Sequence, residues 1–296
     1  MSRNSTVIRD ISPEITTFSV PFNRFAPFGY RKFVAVGNRA TAIRLHDNRI
    51  LLLNPVPLEA SVKATLTALG GVHLIASDLG HHLFIKEYLT VWPEAKTIGV
   101  PGLEKKRSDV KWDYICGDWS RGGPEDEFGF AEDFETVMFE GFITYCVAWY
   151  HKPTKTLLQS DLMMNLPCTE VYINSEIILH NATGTDRRQQ YKPPSSDQGM
   201  LSRGFAKHAH PRSVWFRRLI WYIATVDYTL VRRDAKKVAD WDMERVVPCH
   251  GDVLHTGGNE AWVSTYEWFL KGLPEPGLIS RAKVPFMRLM RKIFLM

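Results

Sequence analysis

The chain has 296 residues, 45% of them hydrophobic and 23% charged, with a formal net charge of +5. These are the proportions of an ordinary globular protein whose core needs no staples. They leave no run near the roughly 20 apolar residues of a spanning helix, and "MSRNSTVIRDISPEITTF" has no uninterrupted apolar stretch of a secretory leader. Cys116, Cys146, Cys168 and Cys249 show no CxxC spacing and read as reduced thiols of a cytoplasmic protein. The basic stretches at 203–218 and 281–296 match no nucleic-acid motif, so no nucleic-acid partner is expected.

Residues 1–35 are turn-rich, with Pro13, Pro21 and Pro27, and are expected to wrap around the body. Strands follow in "TAIRL" and "ILLLN", separated by the turn "HDNR". "EASVKATLTALGG" spaces Val62, Leu66 and Leu69 for a helix that stops at Gly70-Gly71. "VHLIAS" is a buried strand, "HHLFIKEYLTVWP" a helix closed before Pro93, and "AKTIGV" another strand. This alternation predicts a layered α/β fold. The acidic stretch at 105–135 reads as irregular and solvated, and the hairpin "ITYCVAWY"/"TLLQSD" comes next. The polar, basic segment 187–211 reads as a loop or lid. Two helices, the short strand "RVVPCHGD" and the helix "NEAWVSTYEWFLKGL" complete a single domain over 36–275. The tail 276–296 has a basic amphipathic pattern suited to peripheral membrane contact or to docking on the body or a partner subunit.

Three apolar strands give out into His or Asp. "VHLIAS" runs into Asp78, His81 and His82, "TLLQS" into Asp161, and "RVVPC" into His250 and Asp252. In α/β sheets ligands collect beyond strand ends. Imidazoles and carboxylates together suit a divalent metal, with zinc first and iron or manganese as alternatives. An open position on such an ion would activate water.

The segments "LGHHLFIKEYLTVWPEAKTIGVPGL", "WYHKPTKTLLQSDLMMN" and "ERVVPCHGD", in this order, resemble an uncharacterised, domain-of-unknown-function branch of the metallo-β-lactamase-like superfamily, from about Phe33 to Trp268. The resemblance implies an αβ/βα sandwich of two mixed sheets with helices on the outer faces, and a site along one edge built from strand-end loops. The superfamily's HxHxDH hallmark departs here. Ser77 and Leu79 stand where its first two histidines belong, and His81 stands where its aspartate belongs. Its next histidine would fall near Met138 or Glu140. Carried over residue by residue, the ligands of the superfamily's second metal are His81, His82, Asp161 and His250. One divalent metal or none is therefore expected, not two.

Adjacent helical residues point about 100° apart, so His81 and His82 share an ion only if the helix starts after them. His81 is a ligand or a general base, Asp78 a candidate general base, and Asp252 a partner of His250 or a surface turn residue. His151 lies at the turn end of its hairpin, away from Asp161, and is expected to be structural. Arg187, Arg188, Arg203 and Lys207 could contact an anionic small-molecule substrate. The function expected is metal-dependent hydrolysis or a related lyase reaction. The alternatives are an inactive binding or scaffold protein and a mononuclear iron redox enzyme. The sequence leaves the oligomeric state open.

Overall fold

The computed structural model describes residues 6–21, 36–117, 122–170 and 207–276. The first sheet has seven strands in sequential order: β1 (Val7–Ser12), β2 (Ile15–Val20), β3 (Asn38–Arg44), β4 (Ile50–Leu53), β5 (Leu74–Ala76), β6 (Lys96–Gly99) and β7 (Tyr114–Ile115). Its first four strands are antiparallel, and β4 to β7 run parallel. Helices α1 (Ala60–Ala68), α2 (Ile85–Val91) and α3 (Leu103–Lys106) follow β4, β5 and β6, as parallel crossovers require. Helix α4 (Pro124–Glu127) precedes the second sheet. That sheet contains β8 (Phe134–Met138), β9 (Val147–His151), β10 (Thr156–Gln159) and β11 (Arg245–Pro248), with β11 parallel to β10. Between β10 and β11 lie α5 (Val214–Leu219), which continues as a π-helical turn over Ile220–Ala224, and α6 (Tyr228–Ala239). Helices α7 (Gly258–Thr265) and α8 (Glu267–Leu270) close the described chain.

Side chains alternate between faces along a strand, and the apolar clusters follow that rule. Leu51, Leu53, Leu74 and Ala76 meet Val147, Trp149, Leu158 and Val247 between the sheets. Leu52 and Ile75 face outward against Val62 and Leu66 of α1 and Tyr88 of α2. Ala148, Leu157 and Val246 face outward against Phe216, Val231, Trp262 and Phe269. The molecule is therefore two mixed sheets face to face with helices outside, as expected.

The helix-stop signal acts as read. The Gly71 amide donates to the Leu66 carbonyl at 2.9 Å, and Gly70 and Gly71 have φ of +112° and +88°. The turn-rich reading of residues 1–35 missed a hairpin, since β1 and β2 pair on the free edge of β3. The acidic stretch is also less solvated than expected. Glu125 is buried and accepts from the Thr136 amide at 3.0 Å and the Thr136 hydroxyl at 2.7 Å.

The start of β3 is tied to the end of β11 across the two sheets. Arg39, 1% exposed, donates from Nη1 to the Pro248 carbonyl at 2.6 Å, from Nε to Ser19 Oγ at 3.0 Å, and from Nη2 to Glu170 Oε2 at 2.8 Å. Removing one partner of a buried ion pair leaves a buried charge uncompensated. Arg39→Met should lower unfolding stability by about 3–5 kcal/mol, read from urea denaturation. A loss within the ordinary surface range would show that the guanidinium is not what joins the sheets.

Candidate metal centre

The sheet register brings the strand ends together. Gln159 pairs with Pro248 in the parallel β10–β11 ladder, so Ser160-Asp161 and Cys249-His250 leave adjacent strands side by side. Ala76 pairs with Leu53, and Leu53 with Thr41, so the end of β5 and the start of β3 reach the same edge. His151 pairs with Thr156 at the other end of the hairpin. It is fully buried there, with its Nδ1 2.7 Å from Thr154 Oγ1, and it stands outside the cluster as expected.

Helix α2 starts at Ile85, so both histidines of the pair precede it. The loop turns on Asp78, whose Oδ1 accepts from the Gly80 amide at 2.8 Å, the His81 amide at 3.1 Å and His81 Nδ1 at 2.8 Å. Its Oδ2 accepts from the Ser160 hydroxyl. Both oxygens of Asp78 are thus engaged, which makes it the orienting partner of His81 rather than a free base. The bonds turn the His81 ring toward His250, and the two Nε2 atoms stand 3.3 Å apart. His250 donates from Nδ1 to the Gly37 carbonyl at 2.7 Å. Its Nε2 lies 3.2 Å from Asp161 Oδ1, a buried oxygen with no hydrogen bond.

Each ring therefore uses Nδ1–H on an acceptor and turns Nε2 toward the centre, where it offers a lone pair only when unprotonated. Two such lone pairs at 3.3 Å repel unless a cation, either a proton or a metal ion, stands between them. Two nitrogens bound at about 2.0–2.1 Å to one tetrahedral ion are about 3.3–3.4 Å apart. The two imidazole nitrogens stand at the separation such an ion would give them.

His82 goes elsewhere. Its Nδ1 is 3.4 Å from Arg107 Nη1, which also donates to the His82 carbonyl, and it stands in neither group of metal-competent donors among the described residues. Those groups are His81, Cys249 and His250, and Asp78, Cys146 and Asp161. The hydrogen bonds of Asp78 select His81 as the inward one. Asp252 accepts instead from the Glu170 amide at 2.8 Å and from the Thr169 hydroxyl. Lys207 is exposed, whereas Arg187, Arg188 and Arg203 lie outside the described residues, as does most of the C-terminal tail. The sequence reading missed Ser160 and Cys249, although Cys249 directly precedes His250 at a strand end.

Electrostatics match the geometry. Burial works against charge on Asp78, but the positive field and hydrogen bond of His81 outweigh it and hold the carboxyl at about 2. Burial also opposes charge on His81, yet Cys249, Asp78 and Asp161 raise it well above the usual imidazole range. His250 is raised too, against burial, by Cys249 and Asp161. The site attracts positive charge. Cys146, by contrast, is pushed up strongly by burial and stays a neutral thiol. Beside Asp78 and Ser160, a cavity of about 10 Å³ reaches between the sheets to Trp149, which suits a single water at most.

No family model matches the sequence, and no curated protein matches it significantly. Solved structures do match. A metal-soaked Flv1 flavodiiron core from Synechocystis sp. PCC6803 aligns with a TM-score of 0.54 at 15% identity, over 90% of this chain and 61% of its own length. VMB-1 aligns at 0.53 and 10% identity, over 92% of this chain and 100% of its own. The DIM-1 metallo-β-lactamase, in a structure exposed to ceftazidime, aligns at 0.50 and 11% identity, over 89% and 97%. This chain spans less than two thirds of the flavodiiron core. Identity at this level carries the architecture and nothing finer. The chain has the metallo-β-lactamase-like fold.

Proposed function

We propose that this chain binds one divalent metal ion through His81, His250 and Asp161 and uses it to hydrolyse a small-molecule substrate. It would then belong to a domain-of-unknown-function branch of the metallo-β-lactamase-like superfamily. The observation that carries the reading is the 3.3 Å approach of two imidazole Nε2 atoms whose Nδ1 atoms are already committed. Zinc is the first choice, with iron or manganese as alternatives; the mixed nitrogen and oxygen donors suit all three. Metal use is also in keeping with the fold neighbours, one a metallo-β-lactamase and one a metal-soaked flavodiiron core.

When bound, such an ion would act as a Lewis acid and lower the pKa of a bound water to about 7. The protein's own groups do the positioning. Asp78 holds the His81 ring and its tautomer, and the Gly37 carbonyl does the same for His250. Asp161, with 14% of its side chain exposed, offers the carboxylate on the solvent side. The basic residues Arg187, Arg188, Arg203 and Lys207 would meet an anionic group of the substrate, a role supported by the sequence alone. No helix among the described residues is long and apolar enough to cross a membrane. The four free, buried cysteines suit a cytoplasmic setting. Nothing in the basic stretches calls for nucleic acid.

One observation favours a second reading. His250 is 1% and His81 7% exposed, a burial that also suits an ion in a binding or scaffold protein without turnover. A panel of esters, thioesters and lactones separates the two, because only the enzyme shows metal-dependent hydrolysis.

Protein purified without a tag or chelator should carry about one metal ion per chain by ICP-MS, and His250→Ala should carry none. Metal-free protein in both, even after reconstitution, would end the metalloenzyme reading. Asp78→Asn should keep the site but weaken metal affinity about 10–100-fold, measured by competition with a chromophoric chelator. Unchanged affinity would show that the carboxylate does not position His81.

A further inference from the structure

We infer that Cys249 supplies a thiolate ligand to the ion held by His81 and His250, making the centre a mixed nitrogen, oxygen and sulfur site. The inference rests on the metal reading above and adds a donor that the strand-end pattern of His and Asp did not contain.

The sulfur is placed by three facts. Cys249 is 3% exposed, so its position is set by packing and not by solvent. Its Sγ lies within 4.8 Å of a ring nitrogen of both His81 and His250, and those two donors meet the same condition with each other. The thiol lies against Asn38 Oδ1 at 2.8 Å and the Arg39 carbonyl at 3.2 Å, both at the start of β3. A thiol has one proton, which one of these acceptors takes. The sulfur keeps its lone pairs and lies within reach of both imidazoles. On ligation the proton leaves to solvent and the sulfur–metal bond takes its place. Cys146 is not grouped with the two imidazoles, as Cys249 is, and its thiol packs 2.9 Å from Thr144 Oγ1.

The consequence is selectivity. Imidazole and carboxylate alone also accommodate manganese or iron, whereas a thiolate biases the set further toward zinc and its spectroscopic stand-in cobalt. Asp161 remains the donor nearest to solvent, so exchange with water takes place on its side.

The test is anaerobic titration of metal-stripped full-length protein with cobalt(II). The wild type should bind one equivalent and show a near-ultraviolet sulfur-to-cobalt charge-transfer band. Cys249→Ser should lose the band, and Cys146→Ser should keep it. Should Cys249→Ser fail to fold, zinc-edge X-ray absorption of the wild type and Cys146→Ser provides the same answer, with one sulfur scatterer at about 2.3 Å expected in both. Cobalt binding without the band, or a band that disappears in Cys146→Ser, overturns the Cys249 assignment and leaves the metal site standing. No cobalt binding by the wild type overturns both.

Discussion

The site depends on one contact between the two sheets, where the start of β3 meets the end of β11. Three consecutive residues on each side take part. Arg39 holds the Pro248 carbonyl, Asn38 accepts from the Cys249 thiol, and the Gly37 carbonyl accepts from His250. The Arg39 and Gly37 contacts join residues 209 and 213 positions apart. A guanidinium buried at 1% exposure is tolerable only because its donors meet a carbonyl, a hydroxyl and the Glu170 carboxylate. That requirement fixes the separation of the sheet edges and, with it, the place of every donor that leaves β11.

Beyond the clamp, hydrogen bonds to the far nitrogen of each ring decide what the rings offer. Asp78 and Gly37 both take an Nδ1 proton, so both Nε2 atoms turn to one point. The backbone permits this at two glycines. Gly80 passes so close that a Cβ there would sit 3.3 Å from Asp161 Oδ2 and 3.4 Å from Asp78 Oδ1. Gly251 turns at φ +97°, where a Cβ would lie 2.2 Å from the Asn165 carbonyl oxygen. Tight turns on both sides of the cluster keep its donors close and buried.

Much of this was legible in the sequence. Alternation over "TAIRL" and the continuous apolar run of "ILLLN" yield β3 and β4, and the Gly-Gly stop yields the end of α1. The strand-end rule brings His81, Asp161 and His250 to one edge, because parallel pairing of β10 with β11 aligns their exits. The choice between His81 and His82 was not legible. It is made by an Asx-type turn at Asp78 that captures the His81 amide and ring together, leaving His82 beside Arg107. The β1–β2 hairpin was obscured by its prolines, and Cys249 by composition, since a cysteine outside any CxxC pattern reads as an ordinary buried thiol. Asp78 looked like a spare base because its hydrogen bonds to Ser160 and His81 depend partly on tertiary contact with the end of β10.

The central claim is that His81, His250 and Asp161 converge on one ion. Anomalous diffraction at the zinc edge, from crystals of zinc-loaded protein, tests it most directly. A single strong peak within bonding distance of His81 Nε2, His250 Nε2 and Asp161 Oδ1 is the predicted result. A peak bound through His82 instead, or no peak at this edge of the sheets in fully loaded protein, would contradict the account.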